Sequence, residues 1–405
     1  MFTLLSGSRG IIFYGLITSA ARMLAGATST VYLMSSGMTI ADISWLKSIQ
    51  AAVILFADVP FGYLADKFGR GNTVKISILF SAIWLSMTAV GEHKSVFMIA
   101  EVFNAFSIAL FSGAFNALLL ETCKKETEYI NFEKIIGHFY KWQFILMALF
   151  SFIGAIVFPP DSKKTWWIAA IVVTSIMLLF NYVIPVNEEA KSNKKEILNK
   201  NLIWAIKNIF SSKISLPIFI LCISVSLCFQ ISIQFWQPMI AGENLYNIPG
   251  EYYGIVFVLI LLSQSLASYI AQQIKAKISN LLLISIMMMV SFVITFICYK
   301  ELSKYFIILL ICSDFFLMKL ITIHTLSIFL QEQSDNQWAT SESFVSSMTR
   351  IFLLLILAGL GSIGPGLDIK FIFFSLIIMS VIYVIIISVL SCLSLKEKTF
   401  SKKDA

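Results

Sequence analysis

Five ionisable side chains, Arg22, Glu101, Asp314, Lys319 and Arg350, stand inside stretches that are otherwise apolar. An ionised group near the centre of a bilayer-spanning helix costs roughly 2.5–3.5 kcal/mol on insertion scales, so such a group faces a partner or a polar cavity. Arg22 lies about 12 residues, ~18 Å, into the first apolar run, and Glu101 about six residues, ~9 Å, into the fourth from the other side. Across a hydrocarbon slab of ~30 Å these depths coincide. The expectation is an Arg22–Glu101 ion pair, serving either as a permanent strut or as a substrate or proton site whose pairing changes.

Asp314 lies roughly 13 Å into the tenth run, close to the midplane. A midplane carboxylate that is neutral at one stage and charged at another suits proton carriage. Lys319, five residues on, points about 140° away around the same helix and is poorly placed to pair with it. Asp314 is therefore read as a coupling or substrate residue, the alternative being a structural pair with Arg350 or Lys319. His324, further along, reads as a packing residue. Gln230, Gln234 and Gln237, at i, i+4 and i+7, form one polar stripe, with Gln264 at comparable depth in the next run. Such amides either line a cavity and hydrogen-bond a polar solute or join helix to helix.

A second cluster runs from Asp58 to Arg70 and reads Asp-Val-Pro-Phe-Gly-Tyr-Leu-Ala-Asp-Lys-Phe-Gly-Arg. Gly62 has no side chain and would let a neighbouring helix approach closely. Asp66 and Arg70, four apart, can share a helical face and pair. Together they would make a latch; the alternative is a pair of solvated loop charges.

These residues are positioned by a chain far too apolar for a soluble domain. Of 405 residues, 58% are hydrophobic and 13% charged, with a mean hydropathy of +0.85; soluble proteins show about 45–50% and about 25%. Charges fall in islands between apolar runs of about 18–27 residues, each long enough to cross the bilayer as a helix. Outer-membrane strands, which alternate over about 10 residues, are excluded. Twelve spans are expected, at roughly 10–34, 41–65, 73–91, 95–121, 138–158, 166–185, 216–241, 251–273, 279–299, 305–330, 343–363 and 370–394. The polar stretch 186–215, ending in a short amphipathic helix, divides an N-terminal six-helix half, 1–185, from a C-terminal half, 216–395, with a tail at 396–405. The first run is long enough to stay as a helix rather than be cleaved as a signal.

With both termini cytoplasmic, most Lys and Arg fall on the inner loops, as the positive-inside rule requires. Lys47, Lys94, Lys163, Lys164, Lys300, Lys304 and Lys370 fall on the outer side. The net charge of +7 thus needs no nucleic-acid partner. Six scattered cysteines without C-x-x-C spacing read as packing residues, with neither disulfide framework nor metal site. Tyr63 and Ala65 at the end of the second run recur as Tyr269 and Ala271 at the end of the eighth, as in a duplicated transporter.

Residues 58–70 resemble the G-x-L-A-D-x-x-G-R signature of the major facilitator superfamily, which lies between the second and third helices. It is preceded here by the D/E-x-P-x-G element common in bacterial drug/proton antiporter-type efflux members. The resemblance covers the whole chain in topology and about 13 residues in letters. It implies an all-α membrane protein of twelve transmembrane helices in two six-helix halves that rock around a midplane site. It also implies that Gly62, Asp66, Gly69 and Arg70 latch the cytoplasmic side, with Glu121 at the end of the fourth helix as a third member. Ser112 to Glu121 is similar to the corresponding helix end of efflux members. Two departures stand out. Gln272 and Ala276 replace the acidic and basic latch positions in the second half, and only Gly154, Pro159 and Pro160 remain of the Gly-Pro-rich fifth-helix motif of antiporters.

The resemblance implies a monomeric, proton-driven exporter of a small amphiphilic or peptidic compound, of antibiotic, toxin or siderophore type, in a bacterial inner membrane. Its partners would be that solute, protons and the lipid bilayer, with no cofactor beyond the proton gradient. Arg22, Asp58, Glu101, Gln230, Gln234, Gln264, Asp314, Lys319 and Arg350 would line the substrate or proton pathway. The alternatives are a nutrient importer of the same fold and a non-transporting sensor or assembly partner. No G-x-x-x-x-G-K-[ST] loop occurs, and nothing points to an enzyme.

Overall fold

The computed structural model describes residues 7–126, 132–183, 214–241, 248–274, 277–298, 304–332 and 338–401. All regular structure among them is helical. In chain order the helices are α1 (Ser8–Arg22), a 3-10 segment (Met23–Thr28), α2 (Ser29–Ser35), α3 (Ile40–Phe68), α4 (Arg70–Val90), α5 (Lys94–Glu126), α6 (Phe132–Val157) and α7 (Lys163–Val183). There follow α8 (Ser215–Ala241), α9 (Gly250–Gln273), α10 (Ile278–Cys298), α11 (Lys304–Gln331), α12 (Trp338–Ser362) and α13 (Ile369–Ser401). Among the described residues, 11 helical stretches are long and apolar enough to cross a membrane, α1 through α2 counting as one and α7 falling outside the set. The linker 186–215 lies, apart from its last two residues, outside the described residues.

Local chemistry sets the breaks. Thr39 caps α3 by accepting from the Asp42 N–H at 3.2 Å, while Asp42 accepts from the Thr39 N–H at 2.8 Å, a reciprocal box that satisfies two orphan donors. Gly69, at φ +88°, ends α3 and starts α4 within one residue, a conformation that disfavours any side chain. The first apolar run has the length of one span but not the form of one helix. It changes from α to 3-10 at Arg22, and α6 packs against the break. A Cβ on Gly154 of α6 would fall 1.9 Å from the Leu24 carbonyl oxygen. Glycine is therefore what allows the two backbones to touch.

The chain forms two compact units. The first comprises Met1–Asn193, Asn244–Val258 and Leu354–Pro365, and the second Lys194–Glu243, Leu259–Leu353 and Gly366–Ala405. In the first, α5 packs on α3 and α4, α7 on α4, and α1 on α6 and α7. Ala105 and Ala109 of α5 meet Ile54 and Ala57 of α3 in a close small-residue contact. The C-terminal end of α12 joins this unit where Ser48 donates to the Leu354 carbonyl at 3.0 Å and Gly361 lies against the Trp45 ring. In the second unit α8 packs on α11 and α13, and α10 on α11 and α13. Phe219 stacks on Phe344 at a centroid distance of 5.2 Å, and Thr325 shares a 2.6 Å hydrogen bond with Tyr383. Leu283, Ile297 and Leu309 are each 63% exposed. In a chain this apolar, such side chains belong against hydrocarbon.

Candidate substrate and coupling site

The densest polar cluster lies in the first unit, where α1 breaks. Arg22 is the last residue of α1, so its charge sits at the negative end of the helix dipole, which favours a cation by about 0.3–1 kcal/mol. Its guanidinium lies over the Trp84 ring at 5.3 Å. Nη1 donates to Ser81 Oγ at 2.6 Å and Ser107 Oγ at 2.7 Å, and Nη2 donates to Asn104 Oδ1 at 2.7 Å. Asn104 in turn donates from Nδ2 to Glu101 Oε1 at 3.0 Å. That same oxygen takes the ammonium of Lys47 at 2.8 Å, with the Glu101 side chain 5% and the Lys47 side chain 21% exposed.

The expected Arg22–Glu101 ion pair is therefore corrected. Glu101 pairs with Lys47, and Arg22 reaches it only through Asn104. Glu101, Asn104 and Ser107 follow at i, i+3 and i+6 on α5, so the guanidinium meets the amide and hydroxyl one and two turns beyond the carboxylate. Lys47 was expected on the outer side. Because the capping box starts α3 at Ile40, Lys47 lies about two turns inside the helix, ~10 Å along it. A charge at that position of an otherwise apolar run was the signal available for it.

At the other end of these helices, Arg70, the first residue of α4, forms an ion pair with Glu121 of α5 and donates to the Ala117 carbonyl at 3.4 Å. A cation at a helix N-terminus opposes the dipole, so Glu121 offsets an unfavourable placement. The pair is partly exposed and contributes on the order of 0–1 kcal/mol. Asp66 lies on α3, its side chain outside the described residues. The close approach assigned to Gly62 is corrected: no described atom lies within 4 Å of a Cβ built there, whereas one built on Gly154 would meet the Leu24 backbone. Asp58 lies three turns along α3 from Lys47, with its Oδ1 buried.

In the second unit Asp314 is 5% exposed. It accepts from Ser291 Oγ at 2.5 Å and Thr295 Oγ1 at 3.1 Å, both on α10. Neither Lys319 nor Arg350 pairs with it, so the structural-pair alternative is corrected. Hydroxyls from the neighbouring helix hold it instead, because Asp314 faces α10. Lys319 and Arg350 are half-buried on α11 and α12. His324 is buried, yet its Nε2 has no hydrogen-bond partner among the described residues, unlike a satisfied packing histidine. The glutamine stripe is not uniform: Gln230 is exposed, Gln234 half-buried and Gln237 buried. Gln264 is buried and turns its amide back to the Ile260 carbonyl of its own helix at 3.3 Å. Gln272 is exposed, and Ala276 lies outside the described residues.

Charged groups set among apolar helices of spanning length face a partner or a polar cavity. The chain belongs to the Major Facilitator Superfamily, whose profile matches residues 11–332. It is a multi-pass membrane protein and a transporter rather than an enzyme. Its fold is similar to that of a variant of the nucleoside transporter NupG, with a TM-score of 0.77 at 14% identity over 94% of this chain and 99% of that one. It is also similar to the POT family transporter PepTSo, with a TM-score of 0.66 at 12% identity over 96% and 98%. The D-xylose-proton symporter gives a TM-score of 0.66 at 12% identity over 94% and 95%. At these identities the likeness is one of fold. No curated protein sequence matches the chain.

Proposed function

We propose that this protein is a secondary active transporter that exports a small amphiphilic or peptidic compound across a bacterial inner membrane, driven by the proton gradient. The observation that carries this reading is the Arg22–Asn104–Glu101–Lys47 network among the apolar helices, because charges retained there are retained for a polar passenger or a proton. Twelve spans with both termini in the cytoplasm form two halves, 1–185 and 216–395, which work by alternating access. Asp66, Arg70 and Glu121 set the balance between states at the cytoplasmic end. Asp314 carries the coupling proton: its neighbours are hydroxyls, so a proton is the compensation open to its charge. The Asp58-x-Pro60-x-Gly62 element supports export.

A second reading is uptake of a polar nutrient. It is favoured by the lining of the network, where hydroxyl, amide and guanidinium groups suit a hydroxylated solute of the kind named for the nucleoside and D-xylose relatives. Growth of an efflux-deficient host on a panel of antibiotics and peptide toxins separates the two, alongside uptake of labelled uridine and D-xylose with and without an uncoupler. Raised tolerance abolished by the uncoupler supports export. Uncoupler-sensitive accumulation without raised tolerance overturns it in favour of uptake.

A further inference from the structure

The network in the first unit is not neutral. Glu101 spends its charge on Lys47. Arg22 touches only neutral groups: two serine hydroxyls, one amide oxygen and the Trp84 ring. The described contacts of this cluster thus hold two cations and one carboxylate, leaving one positive charge in excess inside the spans.

The guanidinium also has donors to spare. Of its five N–H groups, the three contacts above use two on Nη1 and one on Nη2, which leaves Nε–H and the second Nη2 hydrogen. Two donors on one planar cation match the two oxygens of a carboxylate. Arg22 is half-buried, whereas Glu101 is buried and already paired with Lys47. Ser81, Ser107, Asn104 and Trp84 fix the guanidinium, so little side-chain freedom is lost on binding. The 3-10 segment that follows Arg22 interrupts the helix at the residue that carries the charge.

We propose that the transported solute carries a carboxylate, or an equivalent oxyanion, and that Arg22 binds it. The proposal rests on the transport reading above and narrows its solute class. The excess charge is cancelled when the solute is seated and restored when it leaves.

The test uses the full chain, purified in detergent for thermal melts and reconstituted into liposomes for counterflow. The probes are N-benzoylglycine and N-benzoyl-alanylalanine, their primary amides, and the neutral solutes uridine and D-xylose. Each acid and its amide share size and shape and differ in charge. The expected result is that the acids raise the melting temperature with saturating concentration dependence, while the amides shift it less than one-fifth as much. Because this comparison is made in the wild-type chain, it does not depend on a variant that folds. Arg22→Gln is expected to lose the acid-specific shift, and Arg22→Lys to retain part of it. Acids and amides acting alike, or no acid acting, overturns the inference. Counterflow of uridine, D-xylose or the amides without the acids overturns it while leaving the transport reading standing. Absence of counterflow for every probe by folded protein overturns both.

Discussion

Replacing Glu101 by Gln keeps the shape of the side chain and removes the charge that Lys47 needs. Breaking a buried ion pair by removing one partner costs about 3–5 kcal/mol when the survivor has nowhere to go. Lys47 is 21% exposed, and its four-carbon stem can carry the ammonium toward the nearby end of α3, which lowers the expectation to ~2 kcal/mol. Lys47→Met should cost a comparable amount, because it leaves the buried Glu101 carboxylate without its cation. The double change should recover much of the loss, giving a Lys47–Glu101 coupling of about 1–3 kcal/mol. Arg22 and Glu101 do not touch, so their coupling, carried through Asn104, should be smaller than that of Lys47–Glu101. The assay is a pair of double-mutant cycles read by thermal melts of the detergent-purified chain. An Arg22–Glu101 coupling equal to or larger than that of Lys47–Glu101 would refute the partner assignment.

Three further outcomes are expected. Asp314→Asn, which keeps the size and fixes a neutral group, should abolish solute movement against its gradient while downhill exchange in proteoliposomes persists; pumping under an imposed pH difference would place coupling elsewhere. Glu121→Gln removes the Arg70–Glu121 ion pair and should raise the labelling rate of cysteine probes in the cytoplasmic half several-fold with little change in melting temperature, whereas unchanged labelling together with unchanged transport would remove the latch. Gly154→Ala forces a methyl group to within 1.9 Å of the Leu24 carbonyl and should destabilise by about 1–3 kcal/mol, while Gly62→Ala, which meets open space, should be neutral or gain up to ~1 kcal/mol from helix propensity; equal effects on the melting temperature would contradict the packing of α6 on the helix break.

Much of this molecule is one-dimensional and therefore open to reading from the chain. Apolar runs of spanning length follow from composition alone, because the bilayer requires every backbone polar group to be satisfied within its own segment. Depth is also one-dimensional: Arg22, Glu101 and Asp314 are placed inside the spans by counting residues at a fixed rise. The Arg70–Glu121 contact is legible for another reason: the family resemblance points to Glu121, and no spacing between the two does.

What depth does not contain is azimuth, and azimuth decides partners. Two cations at similar depth, Arg22 and Lys47, compete for one carboxylate. The rotation of α3 against α5 gives it to Lys47, while Arg22 meets Asn104 one turn along. Ser81, Ser107, Ser291 and Thr295 carry no mark in the sequence, because small hydroxyl residues in apolar helices commonly bond back to their own backbone. Only packing turns them toward Arg22 and Asp314. The same holds for the break at Arg22, which no proline announces. It exists because Gly154 on a helix more than a hundred residues away lets one backbone rest on the other, a close approach that belongs to the assembled unit and to no segment of the chain.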